Sequence, residues 1–240
     1  RRCSNWFAYE RSGILTVSKL PYQAVYEILQ TFLVLTADDH IQSHSGNTIR
    51  DITFCTANKR SKNLRTHAGA VALPGGVKDS CEESDVDTAL REAKEEIGLQ
   101  RKDVTIIGVL PPVFASPRTT VVPVIGIINP SFNANVNKDE VDYVFYVALK
   151  DFRSKPIVAR TFNFYSRKLN IYYLSKELGD NTIIIYGLTI CICIAVAVIV
   201  DGGHSVPALF AGGSDEVGIE TAFTEYYHYI ANQIKGPSKL

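Results

Sequence analysis

The stretch Gly76-Val-Lys-Asp-Ser-Cys-Glu-Glu-Ser-Asp-Val-Asp-Thr-Ala-Leu-Arg-Glu-Ala-Lys-Glu-Glu-Ile-Gly-Leu99 decides the fold. Between Asp85 and Ile97 its apolar residues recur at helical spacing and form one stripe, made of Val86, Ala89, Leu90, Ala93 and Ile97. Gly98, directly after the stripe, is a typical helix stop. The sequence therefore predicts a loop, a helix and a second loop, with the acidic residues of the helix off its apolar stripe.

Three of these acidic residues, Glu92, Glu95 and Glu96, stand at i, i+3 and i+4, a spacing that predicts one shared helix face. Like charges this close repel one another, which destabilises a short helix unless cations neutralise them. Mg²⁺ and Mn²⁺ prefer such oxygen ligands. The alternative, a solvated acidic face, does not explain the glycines on either side of the helix. The pattern therefore favours a divalent-metal site.

The same stretch resembles the signature box of the Nudix hydrolases, G-x5-E-x7-R-E-U-x-E-E-x-G-U, in which U is an aliphatic residue. Arg91 to Leu99 matches the second half of the box, with Ala93 at the first U position. The first half is one residue longer, so the first Glu of the box is either Glu82 or Glu83. This insertion resembles the variant box of the coenzyme A diphosphatase subfamily.

The resemblance implies a Nudix fold, which is α+β, with a mixed β-sheet sandwiched between helices and a loop-helix-loop box. It implies Mg²⁺ or Mn²⁺ as cofactor, with the ligands Gly76 (through its carbonyl), Glu92, Glu95 and Glu96. The metal would activate a water molecule that attacks phosphorus, which makes Glu95 and Glu96 catalytic as well. Arg91 would be structural and would pin the loop to the helix through Glu82 or Glu83.

A basic segment precedes the box, and Thr56 to Gly69 resembles the L-L-T-x-R-S-x-x-L-R-x-H-x-G segment of coenzyme A Nudix hydrolases. The resemblance implies three substrate-binding residues, Arg60, Arg65 and His67. Arginine pairs bidentately with phosphate, and coenzyme A carries a 3′-phosphate beside its diphosphate. The alternative is a solvated basic loop.

Two positions depart from the family pattern. Ala70 stands where many relatives have Glu, and Val77 replaces a basic residue after the double glycine, which shifts the positive charge to Lys78. Weakened or altered activity is the expected consequence, and a non-catalytic relative is the alternative.

The similarity continues at Asn137 to Val141, where family members often carry an acidic residue opposite the box. Glu140 is therefore a candidate further metal ligand or general base. The alternative interpretation is a capping or turn carboxylate.

The wider pattern predicts one Nudix domain over residues 25–235, an N-terminal extension over 1–24 and a tail over 236–240. Predicted strands cover residues 28–36, 49–56, 70–73, 104–110, 121–128 and 141–148, and Pro74-Gly75-Gly76 is predicted to end the third of them. The apolar run from Thr182 to Val200 approaches the length of a membrane span. A strand ending near Tyr186 followed by a buried helix is favoured, because Gly187 interrupts the run and no basic residues follow it.

Composition narrows the partners and the compartment. The chain has 240 residues with 25 Lys+Arg and 25 Asp+Glu, so its formal charge is zero, which argues against nucleic acid. Its five cysteines are scattered and odd in number, which predicts reduced thiols in an intracellular compartment. The terminal Ser238-Lys239-Leu240 is the tripeptide that the peroxisomal import receptor reads, so a peroxisomal location is expected.

The expected function is hydrolysis of the diphosphate of coenzyme A or acyl-coenzyme A to 3′,5′-ADP and the (acyl-)4′-phosphopantetheine. The alternatives are a Nudix diphosphatase for NADH or ADP-ribose, a non-catalytic Nudix-fold binding module, and a membrane-anchored protein based on the apolar run alone.

Overall fold

A computed structural model describes residues 28–37, 53–55, 58–59, 71–116, 119–129, 132–154 and 158–235. Its strands are β1 (Ile28–Ala37), β2 (Thr53–Cys55), β3 (Asn58–Lys59), β4 (Val71–Ala72), β5 (Gly75–Val77), β6 (Val104–Val109), β7 (Val113–Ser116), β8 (Thr119–Ile128), β9 (Tyr146–Ala148), β10 (Val158–Phe164), β11 (Arg167–Leu178), β12 (Asn181–Tyr186), β13 (Ser205–Pro207) and β14 (Glu216–Gly218). Its helices are α1 (Asp85–Ile97), a 3₁₀ turn (Arg101–Asp103), α2 (Asp151–Ser154), α3 (Gly187–Val200) and α4 (Ile219–Lys235).

A mixed sheet forms the centre of the fold. Its strands run in the order β6-β8-β1-β2-β9, with β5 also paired to β1 and β7 to β8. The central pair, β1 and β8, is parallel from Ile28↔Thr119 to Ala37↔Ile128. The other described pairings in this sheet are antiparallel. The predicted mixed sheet is confirmed.

The glycine turn before α1 differs from its prediction. Pro74-Gly75-Gly76 does not only end a strand, because Gly75–Val77 itself pairs antiparallel with Gln30–Phe32 of β1. The two glycines add no side chain that could block this pairing. Their backbone is extended, a conformation that any residue can adopt, so the pairing itself does not require glycine. The start of the acidic segment is thereby fixed to the centre of the sheet. The strand predicted over residues 141–148 is also shorter, since only Tyr146–Ala148 is a strand.

The mixed sheet has a core on each face, because successive residues of a strand point to opposite sides. On one face of β8, Val124 and Ile128 pack with Ala89, Ala93 and Ile97 of α1. On the other face, Val121 and Ile125 belong to the larger core that contains α3. The sheet therefore lies between helices, and the predicted α+β fold with a mixed sheet sandwiched between helices is confirmed.

The apolar run from Thr182 to Val200 forms a strand and a buried helix, as favoured from the sequence. The strand β12 ends at Tyr186, and α3 begins at Gly187. Strands β10, β11 and β12 form an antiparallel sheet, whose inner residues Leu174, Ile183 and Ile185 join α3 in the larger core. None of the helices in the described ranges combines the length and apolarity needed to cross a membrane.

The cysteines correct one prediction. Cys191 and Cys193 on α3 are free thiols, as expected. Cys81, in the loop before α1, is disulfide-bonded, so the prediction that all five are reduced is wrong at this position. Odd number and scattered spacing do not exclude a pair that the fold brings together.

Candidate metal site on the acidic helix

The helix α1 is fixed at both ends by its own sequence. At the start, the Ser84 hydroxyl accepts a hydrogen bond from Asp87 N at 3.0 Å and donates one to Asp87 Oδ2 at 2.6 Å. At the end, Gly98 adopts the left-handed conformation with φ 75°, which suits a residue without a side chain. Leu99 N then donates to Ala93 O at 3.2 Å, closing the last turn. These caps hold the acidic residues of α1 at fixed positions.

Arg91 anchors the preceding loop to the helix. Its Nε lies 3.0 Å from Glu83 Oε1 and 3.2 Å from Asp79 Oδ2, and its Nη2 donates to Val77 O at 2.8 Å. Of the two residues predicted to pair with Arg91, Glu83 makes the contact, and Glu82 is exposed. Sequence reasoning missed Asp79, because nothing in an acidic loop residue shows that it faces the arginine.

The ionisation of this pair follows from its contacts. Burial acts to lower the pKa of Arg91, but hydrogen bonds to Glu83 and Glu92 outweigh it, so the pKa lies above its ordinary value. Burial likewise acts to raise the pKa of Glu83, and the hydrogen bonds from Arg91 and Asp79 N outweigh it and lower the pKa. Both groups are therefore charged at neutral pH, and the anchor is an ion pair.

Arg91 also contacts two of the predicted metal ligands. Its Nη1 lies 2.9 Å from Glu92 Oε1 and 3.2 Å from Glu95 Oε2. The guanidinium thus offsets part of the repulsion between these carboxylates. From the sequence alone, only metal ions were expected to neutralise them.

Gly76 lies against the carboxylate of Glu92. A Cβ atom at position 76 would lie 2.1 Å from Glu92 Oε1, closer than any real contact, so only glycine lets the carboxylate occupy this place. Both residues were predicted as ligands of one metal, and the fold brings them together.

Glu96 lies elsewhere on α1 than predicted. It is only 4% exposed, so it does not lie off the apolar stripe with the other acidic residues. The reason is geometric: Glu96 follows Ala89 by two helical turns and so lies on nearly the same side as that core residue. Glu95, by contrast, is exposed.

Glu140 is brought to this helix by the loop that precedes β9. Asn135 N donates to Ile97 O and Asn137 N donates to Glu96 O, each at 2.9 Å, so the loop covers the last turn of α1. Burial raises the pKa of Glu92, and the negative charges of Glu95 and Glu140 raise it further, against the effect of Arg91. Glu140 is therefore part of the electrostatic environment of Glu92, although it also lies in a turn, as the alternative interpretation required.

These residues fit a divalent cation in chemistry. The donors around Glu92 are carboxylates beside a glycine backbone, which is the oxygen set that Mg²⁺ and Mn²⁺ prefer. Within the described ranges, however, no three His, Cys, Asp or Glu side chains are gathered closely enough to hold a metal ion. The structure places Glu92 with Gly76, and the charges of Glu95 and Glu140 act on it.

The remaining predicted residues have different outcomes. Lys78 forms an ion pair with Asp85 at 2.9 Å, so its charge is engaged at the start of α1 and does not simply replace a basic residue at position 77. Arg60, Arg65 and His67 lie outside the described residues, as do Ala70 and the tail 236–240. Substrate contacts and peroxisomal import therefore stay predictions.

The mixed sheet presents a glycine turn, an arginine-anchored loop and an acidic helix. Residues 51–167, just under half of the chain, match the family described as NUDIX domain.

Individual relatives cover part of the chain. It is 46% identical over 93 residues to the "Uncharacterized Nudix hydrolase NudL" of Citrobacter koseri, a match that covers 39% of this chain and 48% of the relative. It is 36% identical over 148 residues to "Nudix hydrolase 22, chloroplastic" of Arabidopsis thaliana, covering 59% of this chain and 48% of the relative. The chain thus spans about half the length of these curated relatives.

Among solved structures, the MutT protein from Methanosarcina mazei Go1 matches with a TM-score of 0.41 and 20% identity. The match covers 57% of this chain and 86% of that protein.

Proposed function

We propose that this chain hydrolyses the diphosphate bond of coenzyme A or acyl-coenzyme A with the help of Mg²⁺ or Mn²⁺. The observation that carries the proposal is the packing of the Glu92 carboxylate directly against Gly76. This contact joins a box glycine to a box carboxylate, as a ligand set drawn from both would require. The match of residues 51–167 to the NUDIX domain family supports diphosphate hydrolysis as the reaction class.

Each residue then has a defined task. Gly76, Glu92, Glu95 and Glu96 are the groups that would hold the metal. A bound divalent cation supplies polarisation of the diphosphate and activation of water. Glu140, whose charge acts on Glu92, is the carboxylate that we assign to accept the proton of the attacking water. Arg91 keeps the loop and the carboxylates in place through its contacts with Glu83 and Glu92.

The choice of coenzyme A rests on the segment from Thr56 to Gly69. Its resemblance to the coenzyme A Nudix segment assigns Arg60, Arg65 and His67 to the substrate, with arginine suited to the 3′-phosphate. NADH and ADP-ribose lack that phosphate.

A second candidate is a non-catalytic binding module, and one observation favours it. Arg91 Nη1 contacts both Glu92 and Glu95, so part of the negative charge that would attract a metal is already compensated. A module of this kind would bind a nucleoside diphosphate without hydrolysing it.

Product analysis tests these candidates. The purified protein is incubated with coenzyme A, acetyl-coenzyme A, NADH and ADP-ribose, in Mg²⁺, in Mn²⁺ and in EDTA, and the products are identified by chromatography and mass spectrometry. We expect 3′,5′-ADP and (acyl-)4′-phosphopantetheine, formed only with metal. Hydrolysis of NADH or ADP-ribose in preference would replace the substrate assignment. Substrate binding by calorimetry without turnover in either metal would establish the binding module instead.

A further inference from the structure

The outer face of the three-stranded sheet is apolar and exposed. Side chains that point away from α3 include Phe162, Ile184 and Tyr186, which are 46%, 53% and 49% exposed. We name this the outer sheet face. Its apolar part consists of Phe162, Ile171, Tyr173, Ile184 and Tyr186, and the face also carries the polar residues Arg160, Ser175, Glu177 and Thr182.

Strand register shows that these side chains form one surface. Tyr173 lies opposite Tyr186, and their rings stack with centroids 6.1 Å apart. The Arg160 guanidinium lies 6.0 Å from the centre of the Tyr173 ring. The alternate residues of β11 and β12, such as Leu174 and Ile185, are buried against α3, so the sheet has one dry face and one exposed apolar face. A contiguous apolar surface is uncommon on a monomer and marks an interaction site.

The outer sheet face carries one positive and one negative side chain at different levels along its strands. Arg160 pairs in register with Ile171, the fifth residue of β11, and Glu177 is the eleventh of its twelve residues. The distance between these levels is about 20 Å, from the rise of an extended strand. A twofold axis across the strands reverses their direction, so it places Arg160 of one copy over Glu177 of a second copy. The face is therefore complementary in charge to itself.

We propose that the outer sheet face is the interface through which two copies of this chain form a symmetric dimer. The length of β11, 12 residues, corresponds to about 40 Å. Because β10 flanks β11 only over Arg167–Tyr173 and β12 only over Tyr173–Leu178, the face is two strands, or about 10 Å, wide along this length. Its area of about 400 Å² per partner is that of a small interface, so the dimer is a weak one that forms at high protein concentration. Glu177 disfavours a membrane surface as the occupant, because a carboxylate within the apolar face is repelled by anionic lipid and costly to desolvate. The dimer does not depend on the proposed hydrolysis, and its test does not use activity.

Analytical ultracentrifugation of the full chain over a range of concentrations tests the interface. We expect the wild type to sediment as a dimer at the upper end of this range, and Ile184→Asp to raise the dissociation constant about tenfold or more, because it buries an unpaired charge. Ile107→Asp is the matched control, since Ile107 is 47% exposed but lies on β6. Ile107→Asp should leave the dimer unchanged, and circular dichroism should show that both variants are folded.

Charge reversal tests the symmetry. Arg160→Glu and Glu177→Arg should each weaken the dimer, and the double variant Arg160→Glu/Glu177→Arg should restore it. A monomeric wild type, an equal effect of the two Ile→Asp variants, or a double variant as weak as the singles would overturn the proposal. Sedimentation of a monomeric wild type with phosphatidylserine vesicles, lost in Ile184→Asp, would also overturn it and identify a membrane as the occupant.

Discussion

Two adjacent carboxylates on α1, Glu95 and Glu96, lie in different surroundings. The i, i+3, i+4 rule identifies residues that are neighbours on a helix, but it does not say where the buried side of the helix begins. Glu95 is exposed and contacts Arg91, whereas Glu96 is buried on nearly the same side of the helix as Ala89. A helical projection of the printed sequence would have shown this difference, which makes Glu96 the carboxylate with the more fixed position.

Replacing Glu96 with Gln should lower turnover of coenzyme A by about a hundredfold or more, because it removes a charge from the proposed ligand set while keeping the side-chain volume. Glu95→Gln is the matched variant, and we expect a smaller loss there, since that side chain is exposed. Steady-state kinetics at saturating Mg²⁺ measures both, with circular dichroism as a check of folding. Near-normal activity of Glu96→Gln would remove Glu96 from the ligand set.

Gly76→Ala should weaken metal binding with little effect on stability. The new Cβ would meet the end of the Glu92 side chain, which can rotate away at small cost, but the carboxylate then leaves its place beside position 76. Gly108→Ala is the control, because a Cβ there meets no atom within 4 Å. Calorimetric titration with Mn²⁺ should show an affinity lower by about tenfold or more in Gly76→Ala only. Equal Mn²⁺ affinities in the two variants would contradict the role given to Gly76.

At the scale of elements, the hairpin between β10 and β11 is held by a helix far away in sequence. Tyr165, at its turn, has a φ of 51°, a left-handed conformation that is rare for a residue with a bulky side chain. The Tyr229 hydroxyl of α4 accepts a hydrogen bond from Ser166 N at 3.1 Å and donates one to Phe164 O at 2.8 Å. This contact ties α4 to the turn, and no local pattern in the sequence shows it.

Tyr229→Phe should therefore destabilise the protein by about 1–3 kcal/mol, because the backbone groups of the turn lose both hydrogen bonds. Tyr143→Phe is a control that keeps the ring contact with Phe145 and should have a smaller effect. Urea unfolding followed by circular dichroism measures the free energy of unfolding of each variant. An equal loss in both, or none in Tyr229→Phe, would show that the hydroxyl does not stabilise the turn.

At the scale of the whole molecule, the sequence predicts those elements whose apolar residues follow a simple helical or strand period. The helix α1, its glycine stop, the strand β8 and the buried helix after Tyr186 are all confirmed. The strands β10 and β11 and the helix α4 were not predicted. Exposed apolar residues on the outer sheet face hide the alternation of β10 and β11, and the run Tyr226-Tyr227-His228-Tyr229 is more typical of a strand than of a helix.

In the candidate site, too, the sequence predicts local relations between residues but not contacts between distant segments. The box carboxylates could be identified from their spacing, since a helix fixes the relation between nearby residues. The contact of Asn137 with Glu96 O, which brings Glu140 to α1, joins segments about forty residues apart and depends on how the sheet is ordered. Pattern reasoning could assign Glu140 only through the family resemblance.

The helix α3 lies at the junction of the larger core and the three-stranded sheet, so its exposure reports on unfolding of the whole molecule. Cys193 on this helix is 1% exposed, and burial raises the pKa of its thiol far above the ordinary value. Alkylation requires the thiolate, so a raised pKa and a closed core both slow the reaction at about pH 8. We expect iodoacetamide not to label Cys193 in the native protein, and labelling to rise with urea along the same transition as the loss of circular dichroism. Mass spectrometry of the peptide that contains Cys193 measures this without reductant, so that the disulfide of Cys81 stays intact. Labelling of Cys193 in native buffer at the rate of the unfolded chain would contradict this. It would show that α3 opens without global unfolding and that the larger core around it is less stable than its burial implies.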